Sequence, residues 1–207
     1  MSSSPHGPTV FGRAIAEHLE VVRQVQNQQP VLEAIAQAMA ATLRFGGKIL
    51  WCGNGGSAAD SQHLAAEIVG RFRRERRGLP SIAITTDTSI LTAVANDYGF
   101  ETVFSRQVEA LGNAGDLLVG ISTSGNSQNV VAALEVARAQ GLVTVAFTGA
   151  GGGKMANVAE HLFAVGSRDT ARIQEAHLLA GHMLCDWIEM DWLRAQSAAC
   201  HTAATTH

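Results

Sequence analysis

Lys48-Ile49-Leu50-Trp51-Cys52-Gly53-Asn54-Gly55-Gly56-Ser57 is where the chain changes period. Ile49 to Cys52 form an unbroken apolar run, which reads as a short strand buried on both faces. Gly53 to Ser57 follow as a turn, and a helix is expected from Ser57 through Leu64 to about Phe72. The same unit recurs downstream. Asp116–Ile121 reads as a strand, Ser122–Ser127 as a turn of glycine and hydroxyls, and Gln128–Gln140 as a helix stopped at Gly141. Further strands are expected at Ser81–Ile84, Leu142–Phe147 and His161–Val165. Helical stretches are expected near Ser89–Val94 and Thr102–Leu111. Alternation of this kind predicts an α/β fold, a three-layer sandwich around a five-stranded parallel sheet covered on both faces.

Outside this core the period is helical. Val10, Ile15, Leu19, Val22 and Val25 mark a first helix. Pro30 suits the first turn of a second, whose stripe is Val31, Leu32, Ile35, Ala36, Met39 and Leu43. A long helix is expected from Thr170 to about Gln196. These helices exceed what a five-stranded sandwich needs, and helix pairs of this length often make subunit contacts. The chain thus reads as one domain: N-terminal helices at 1–46, a sheet core at 47–169, a C-terminal helix at 170–196 and a small, polar tail at 197–207. Residues 1–8 read as a loose lead-in.

Composition bounds the function. Fifteen Lys and Arg stand against 18 Asp and Glu, a net charge of -3. That leaves no surplus to neutralise a phosphate backbone, so no nucleic-acid partner is expected. Charged residues are only 16%, consistent with surface buried between subunits. Cys52, Cys185 and Cys200 are few and widely spaced, which fits a reducing, cytoplasmic setting and no CxxC metal site. No stretch approaches the ~18 apolar residues of a membrane span.

The two turns share one design. Each follows a strand, carries glycine, asparagine and hydroxyls, and opens a helix. Glycine lets the backbone approach a ligand, and the helix start offers N–H groups and a partial positive charge. Hydroxyls add short donors. Together they suit a phosphate monoester past the C-terminal strand ends. Gly53-x-Gly55-x-x-Ala58 also fits a dinucleotide fingerprint, but the acid that would hold the ribose about 20 residues on is missing. Gly152-Gly153-Lys154 fails as a P-loop because Met155 follows the lysine.

Asp60, His63 and Glu67 lie on the third helix, His63 and Glu67 four apart and therefore on one face. His182 follows Gln174 by eight residues and Glu175 by seven on the last helix. Spacing alone prefers Glu175 beside His182. Asn96-Asp97 is a polar pair that an ordinary Asx turn would explain.

Taken together, Cys52–Ser57, His63-Leu64-Ala65-Ala66-Glu67, Ala95-Asn96-Asp97, Ile121–Ser127, Thr148-Gly149, Gly152-Gly153-Lys154 and Arg172-Ile173-Gln174-Glu175-Ala176-His177 resemble the phosphoheptose isomerases of the sugar-isomerase (SIS) domain class. The resemblance spans roughly residues 12–195. It implies a flavodoxin-like SIS fold, a homotetramer with active sites between subunits, and a phosphorylated seven-carbon sugar as substrate. The reaction implied takes D-sedoheptulose 7-phosphate to D-glycero-D-manno-heptose 7-phosphate, the first step toward heptose units of surface glycans such as lipopolysaccharide. It further implies one zinc per subunit on His63, Glu67, Gln174 and His182, with Glu67 and His182 also as catalytic base and acid. Asn54, Gly55, Gly56, Ser57, Ser122, Thr123, Ser124 and Ser127 match phosphate and sugar contacts. Glu67, Asn96, Asp97 and Gln174 match further substrate contacts. Ala171 stands where the family pattern often has Asp, with Asp169 nearby.

Two other functions fit the same fold. A DnaA-binding replication-initiation protein is similar at Thr85-Thr86-Asp87, in the Arg172–Glu175 phrase and at Leu184-Cys185-Asp186. A pure scaffold, however, has no chemical need for Glu67 and His182. The other is a regulator that binds a phosphosugar without converting it.

Overall fold

The computed structural model describes residues 9–204; the lead-in at 1–8 and residues 205–207 lie outside it. Five strands form one sheet in the order β2-β1-β3-β4-β5, all parallel. They are β1 (Ile49–Gly53), β2 (Ser81–Ala83), β3 (Leu117–Ser122), β4 (Val143–Thr148) and β5 (His161–Ala164). Each lies within a residue or so of its expected place. Every residue of β1 and β3 is buried, as an apolar run in a doubly covered sheet requires.

Seven α-helices accompany the sheet: α1 (Val10–Gln26), α2 (Gln29–Arg44), α3 (Gly56–Val69), α4 (Thr88–Tyr98), α5 (Ser105–Leu111), α6 (Gln128–Ala139) and α7 (Thr170–Ala204). Pro30 falls in the first turn of α2 as expected. Two departures matter. Helix α3 ends at Val69, so Phe72 belongs to the loop that follows. Helix α7 continues to Ala204, past the expected end near Gln196.

The sheet divides two apolar cores. Trp51, Phe147, Phe163 and Ile49 face Ile35 and Met39 of α2, Leu64 of α3 and Ala180 of α7. Leu50, Cys52, Leu118 and Ala146 face Val108 of α5 and Leu134 of α6. Burying each large side chain contributes about 1.5–3 kcal/mol. Trp51 keeps its polar end satisfied by donating Nε1–H to Ser81 Oγ at 2.9 Å. At the N-terminal edge of the sheet, Asp116 accepts from Lys48 Nζ and the backbone N–H groups of Lys48 and Asn113. The opposite edge, where β1 and β3 diverge into α3 and α6, is the switch point at which such sheets bind ligands.

His177 of α7 is wholly buried between Phe147 and Phe163, with ring centroids 5.5 and 6.1 Å away. Its Nε2 pairs with the Thr148 carbonyl oxygen at 3.0 Å, while among the described residues Nδ1 has no hydrogen-bond partner. Burial, partly offset by the Thr148 bond, lowers its pKa to about 4. An unfolded chain takes up this proton near pH ~6.5, whereas the folded chain resists until about 4. The contribution to stability is therefore full above pH ~6.5 and is lost as pH falls toward 4, ~3 kcal/mol in all. Urea titrations at pH 7 and 4.5 should show the loss, and His177→Gln should flatten it. Equal acid sensitivity in both proteins would contradict this origin.

Candidate active site

Register partners Gly53 on β1 and Ile121 on β3 bring the two turns out side by side. Gly55 adopts φ 56° at the N-cap of α3, a backbone open to glycine at little cost. Ser57 is buried in the first turn of α3. In the second turn Ser122 Oγ lies 2.8 Å from Ser127 Oγ and 3.3 Å from Ser124 Oγ. Asn54 and Asn129 clasp the turns together through two amide hydrogen bonds, both 2.9 Å. Asn129 was not among the expected site residues. Its signal was a polar side chain on the buried face of α6.

The second turn is braced from behind. Asn126 Oδ1 accepts from Lys154 N–H at 3.0 Å, and Gly125 O accepts from Met155 N–H at 3.0 Å. The resulting hydroxyl cluster opens α6 beside the start of α3, an arrangement that suits an anion.

Helix α3 then carries the chemistry away from the turns. His63 Nε2 lies 3.6 Å from Glu67 Oε1 and 2.8 Å from His182 Nε2, so α3 and α7 bring all three together within one chain. Glu67 is half-buried. Phe72 stacks on His182 with centroids 5.3 Å apart and planes at 23°. Burial and then His63 lower the His182 pKa below its usual 6.5; Glu67 pulls it up and Arg73 pushes it down. These surroundings favour the neutral form of the His182 ring. Asp60 shares this face of α3. Its Oδ2 is buried without a partner, and burial raises its pKa against the pull of His63. The thiols of Cys52 and Cys185 are pushed up to about 12 by burial, which removes them as nucleophiles.

The other expected residues sort plainly. Gln174 packs on the first turn, where a Cβ on Gly56 would fall 2.4 Å from its Nε2. Glu175, which spacing placed beside His182, instead pairs with His18 at 2.7 Å and Arg172 at 2.6 Å, facing α1. Asn96 and Asp97 are exposed within α4, and Asn96 donates to Asp97 at 2.8 Å. Among the described residues no hydrogen bond joins them to the two turns. Asp169 caps α7, accepting from the N–H groups of Ala171 and Arg172.

The zinc expected on His63, Glu67, Gln174 and His182 is not supported. Among the described residues no group of three or more His, Cys, Asp or Glu could hold a metal ion. The two Nε2 atoms share a hydrogen at 2.8 Å. Two imidazole nitrogens on one tetrahedral zinc would stand about 3.3 Å apart, each turned toward the ion. Gln174 meanwhile lies against Gly56.

A SIS domain matches residues 11–149. A phosphoheptose isomerase of Roseiflexus sp. (strain RS-1) is 58% identical over 167 residues, covering 81% of this chain and 85% of the relative. The chain belongs to the phosphoheptose isomerase family. Solved structures agree. One from Neisseria gonorrhoeae is 47% identical with a TM-score of 0.80, over 88% of this chain and all of that one. One from Francisella tularensis is 38% identical with a TM-score of 0.84, over 87% of this chain and 96% of that one. Both are phosphoheptose isomerases. Among the described residues no helix is long and apolar enough to cross a membrane.

Proposed function

We propose that this chain isomerises D-sedoheptulose 7-phosphate to D-glycero-D-manno-heptose 7-phosphate, with Glu67 as base and His182 as the acid that serves the oxygens. The observation that carries the reading is the Glu67–His63–His182 group standing beside a phosphate cradle of two helix starts. The phosphate binds at Ser57, Ser122, Thr123, Ser124 and Ser127 with the Asn54–Gly56 backbone. Gln174 contacts the sugar from α7, and Asn96 and Asp97 reach it from α4. Binding energy gained at the phosphate holds the carbonyl end in place.

The steps then balance. Glu67 takes a proton from C1 while His182 gives one to O2, and an enediol forms. His182 then recovers a proton from O1, and Glu67 returns its proton to C2. A neutral imidazole can serve this exchange as an electrophile, giving its N–H proton to O2 as charge develops there and taking one back from O1. Incubation of the purified protein with sedoheptulose 7-phosphate, followed by NMR, should show the aldose accumulating. A folded protein that binds the sugar and produces none would favour the phosphosugar regulator instead.

We also propose a homotetramer with sites between subunits, working in the cytoplasm as one SIS domain. Phe11, Ile15 and Leu19 leave a strongly exposed apolar stripe on α1, and α4 buries no residue of its own. Such faces call for a partner. The free thiols Cys52 and Cys185 agree with a reducing setting. Sedimentation equilibrium decides the assembly: four chains support it and a monomer refutes it.

A further inference from the structure

The loop after α3 carries Arg71, Arg73, Arg74, Arg76 and Arg77, which reads as a charged loop and does not by itself say what it packs on. It is laid down on α7. Glu189 has no solvent exposure. Its carboxylate accepts three consecutive backbone N–H groups, from Phe72 at 2.7 Å, Arg73 at 2.9 Å and Arg74 at 3.0 Å. It also pairs at 3.3 Å with Arg76, whose side chain is 1% exposed. Arg76 in turn donates to the carbonyl oxygens of Glu67 at 2.9 Å and Gly70 at 3.0 Å, closing the C-terminal end of α3. Asp186 holds the outer side of the loop through Arg73 and Arg74.

The geometry of α7 gives this a direction. Glu189 follows His182 by seven residues, about 20° around the helix and about 10.5 Å along it. The two side chains share a face, and the loop lies over that face between them. Its first anchored residue, Phe72, is the one stacked on His182. One buried carboxylate is therefore linked to both halves of the reacting group, to His182 through Phe72 and to the Glu67 carbonyl through Arg76. It sets Phe72 against His182, and through Arg76 it fixes the turn of α3 that bears Glu67. A buried charge is kept only where it is paired and hydrogen-bonded, and here Arg74 also lies 3.9 Å from the Glu189 carboxylate.

We propose that Glu189 is a positioning residue of the isomerase: it pins residues 72–76 so that Phe72 orients the His182 ring and Arg76 orients Glu67. The proposal rests on the assignment of Glu67 and His182 made above. Its test separates positioning from mere stability. Glu189→Gln keeps the shape and removes the charge, and Phe72→Leu removes the ring while leaving the backbone donors. Each should lower kcat about tenfold with KM within about twofold, since misplacing a catalytic group by a fraction of an ångström costs this order. Because Phe72 acts downstream of Glu189, the double variant should lose no more than Glu189→Gln alone. Phe72→Tyr should restore kcat to within about twofold of the parent.

A folded Glu189→Gln enzyme with parental kcat overturns the proposal, as does a double variant whose losses multiply to about a hundredfold. If Glu189→Gln does not fold, the Phe72→Leu and Phe72→Tyr pair decides: a loss in the first and recovery in the second supports it, and parental kcat in both refutes it. Glu67→Gln and His182→Gln run alongside. Full activity in those two would refute the underlying assignment and this inference with it. Loss of activity in those two with parental kcat in the Glu189 and Phe72 variants refutes the inference alone.

Discussion

Replacing Glu67 by Gln is expected to lower kcat by about 10²–10⁴-fold while leaving the fold intact, the range that a general base supplies. The amide has the size of the carboxylate but cannot take a proton from carbon. Glu67 sits on α3 with its side chain half-buried, and His63 Nε2 lies 3.6 Å from its Oε1. No core contact depends on the charge, so the melting temperature should change little. KM should also hold, because the phosphate cradle is built from other residues. Steady-state kinetics and thermal melts of the two proteins check both halves. Activity near the parental level would reassign the base, with Asp60, on the same face and with one buried unpartnered oxygen, next to be tested.

Gly125→Ala should damage the other end of the site, and for a different reason. Gly125 has φ 66°, and a Cβ there would fall 2.1 Å from the Gly152 carbonyl oxygen. An alanine in left-handed backbone costs about 1–2 kcal/mol. The neighbouring atoms are backbone and cannot swing aside, so overpacking adds about 1–3 kcal/mol. For a chain of this length the melting temperature should fall by on the order of 10 °C. The turn must also pull away from Lys154 and Met155, which loosens Ser124 and Ser127. Losing one charge-assisted bond to the phosphate should raise KM about tenfold. Gly55→Ala is the stability control: its φ is 56°, with open space where the Cβ would go, so only the backbone strain applies. Equal melting temperatures for the two variants would refute the packing argument.

The sheet was legible because β1 and β3 are short apolar runs, buried throughout and closed by turn residues, whereas β2 leaves Ile82 exposed and β5 is only partly buried. Boundaries slipped where local signals were weak. Small and polar residues from Ser197 onward gave no reason to extend α7, yet it continues to Ala204. The two glycine–hydroxyl turns were legible as turns opening helices, since both reasons for those residues are local. Contacts between distant segments were not. Whether Gln174 or Glu175 faces the site depends on how α7 sits against α1, and His18 and Arg172 claim Glu175. What the arginine loop packs on could not be read from its own residues, because its carboxylate partner lies more than a hundred residues away. The zinc set arrived with the family resemblance rather than with any spacing, and the paired Nε2 atoms of His63 and His182 do not support it.

Proton transfer at carbon is the core of the account, and isotope exchange reads it directly. Sedoheptulose 7-phosphate incubated with the parental protein in deuterium oxide should give an aldose carrying deuterium at C2, with exchange at C1 of the remaining ketose. Glu67→Gln, folded and binding the sugar phosphate, should give neither. Exchange and conversion at the parental rate in that variant would contradict the account.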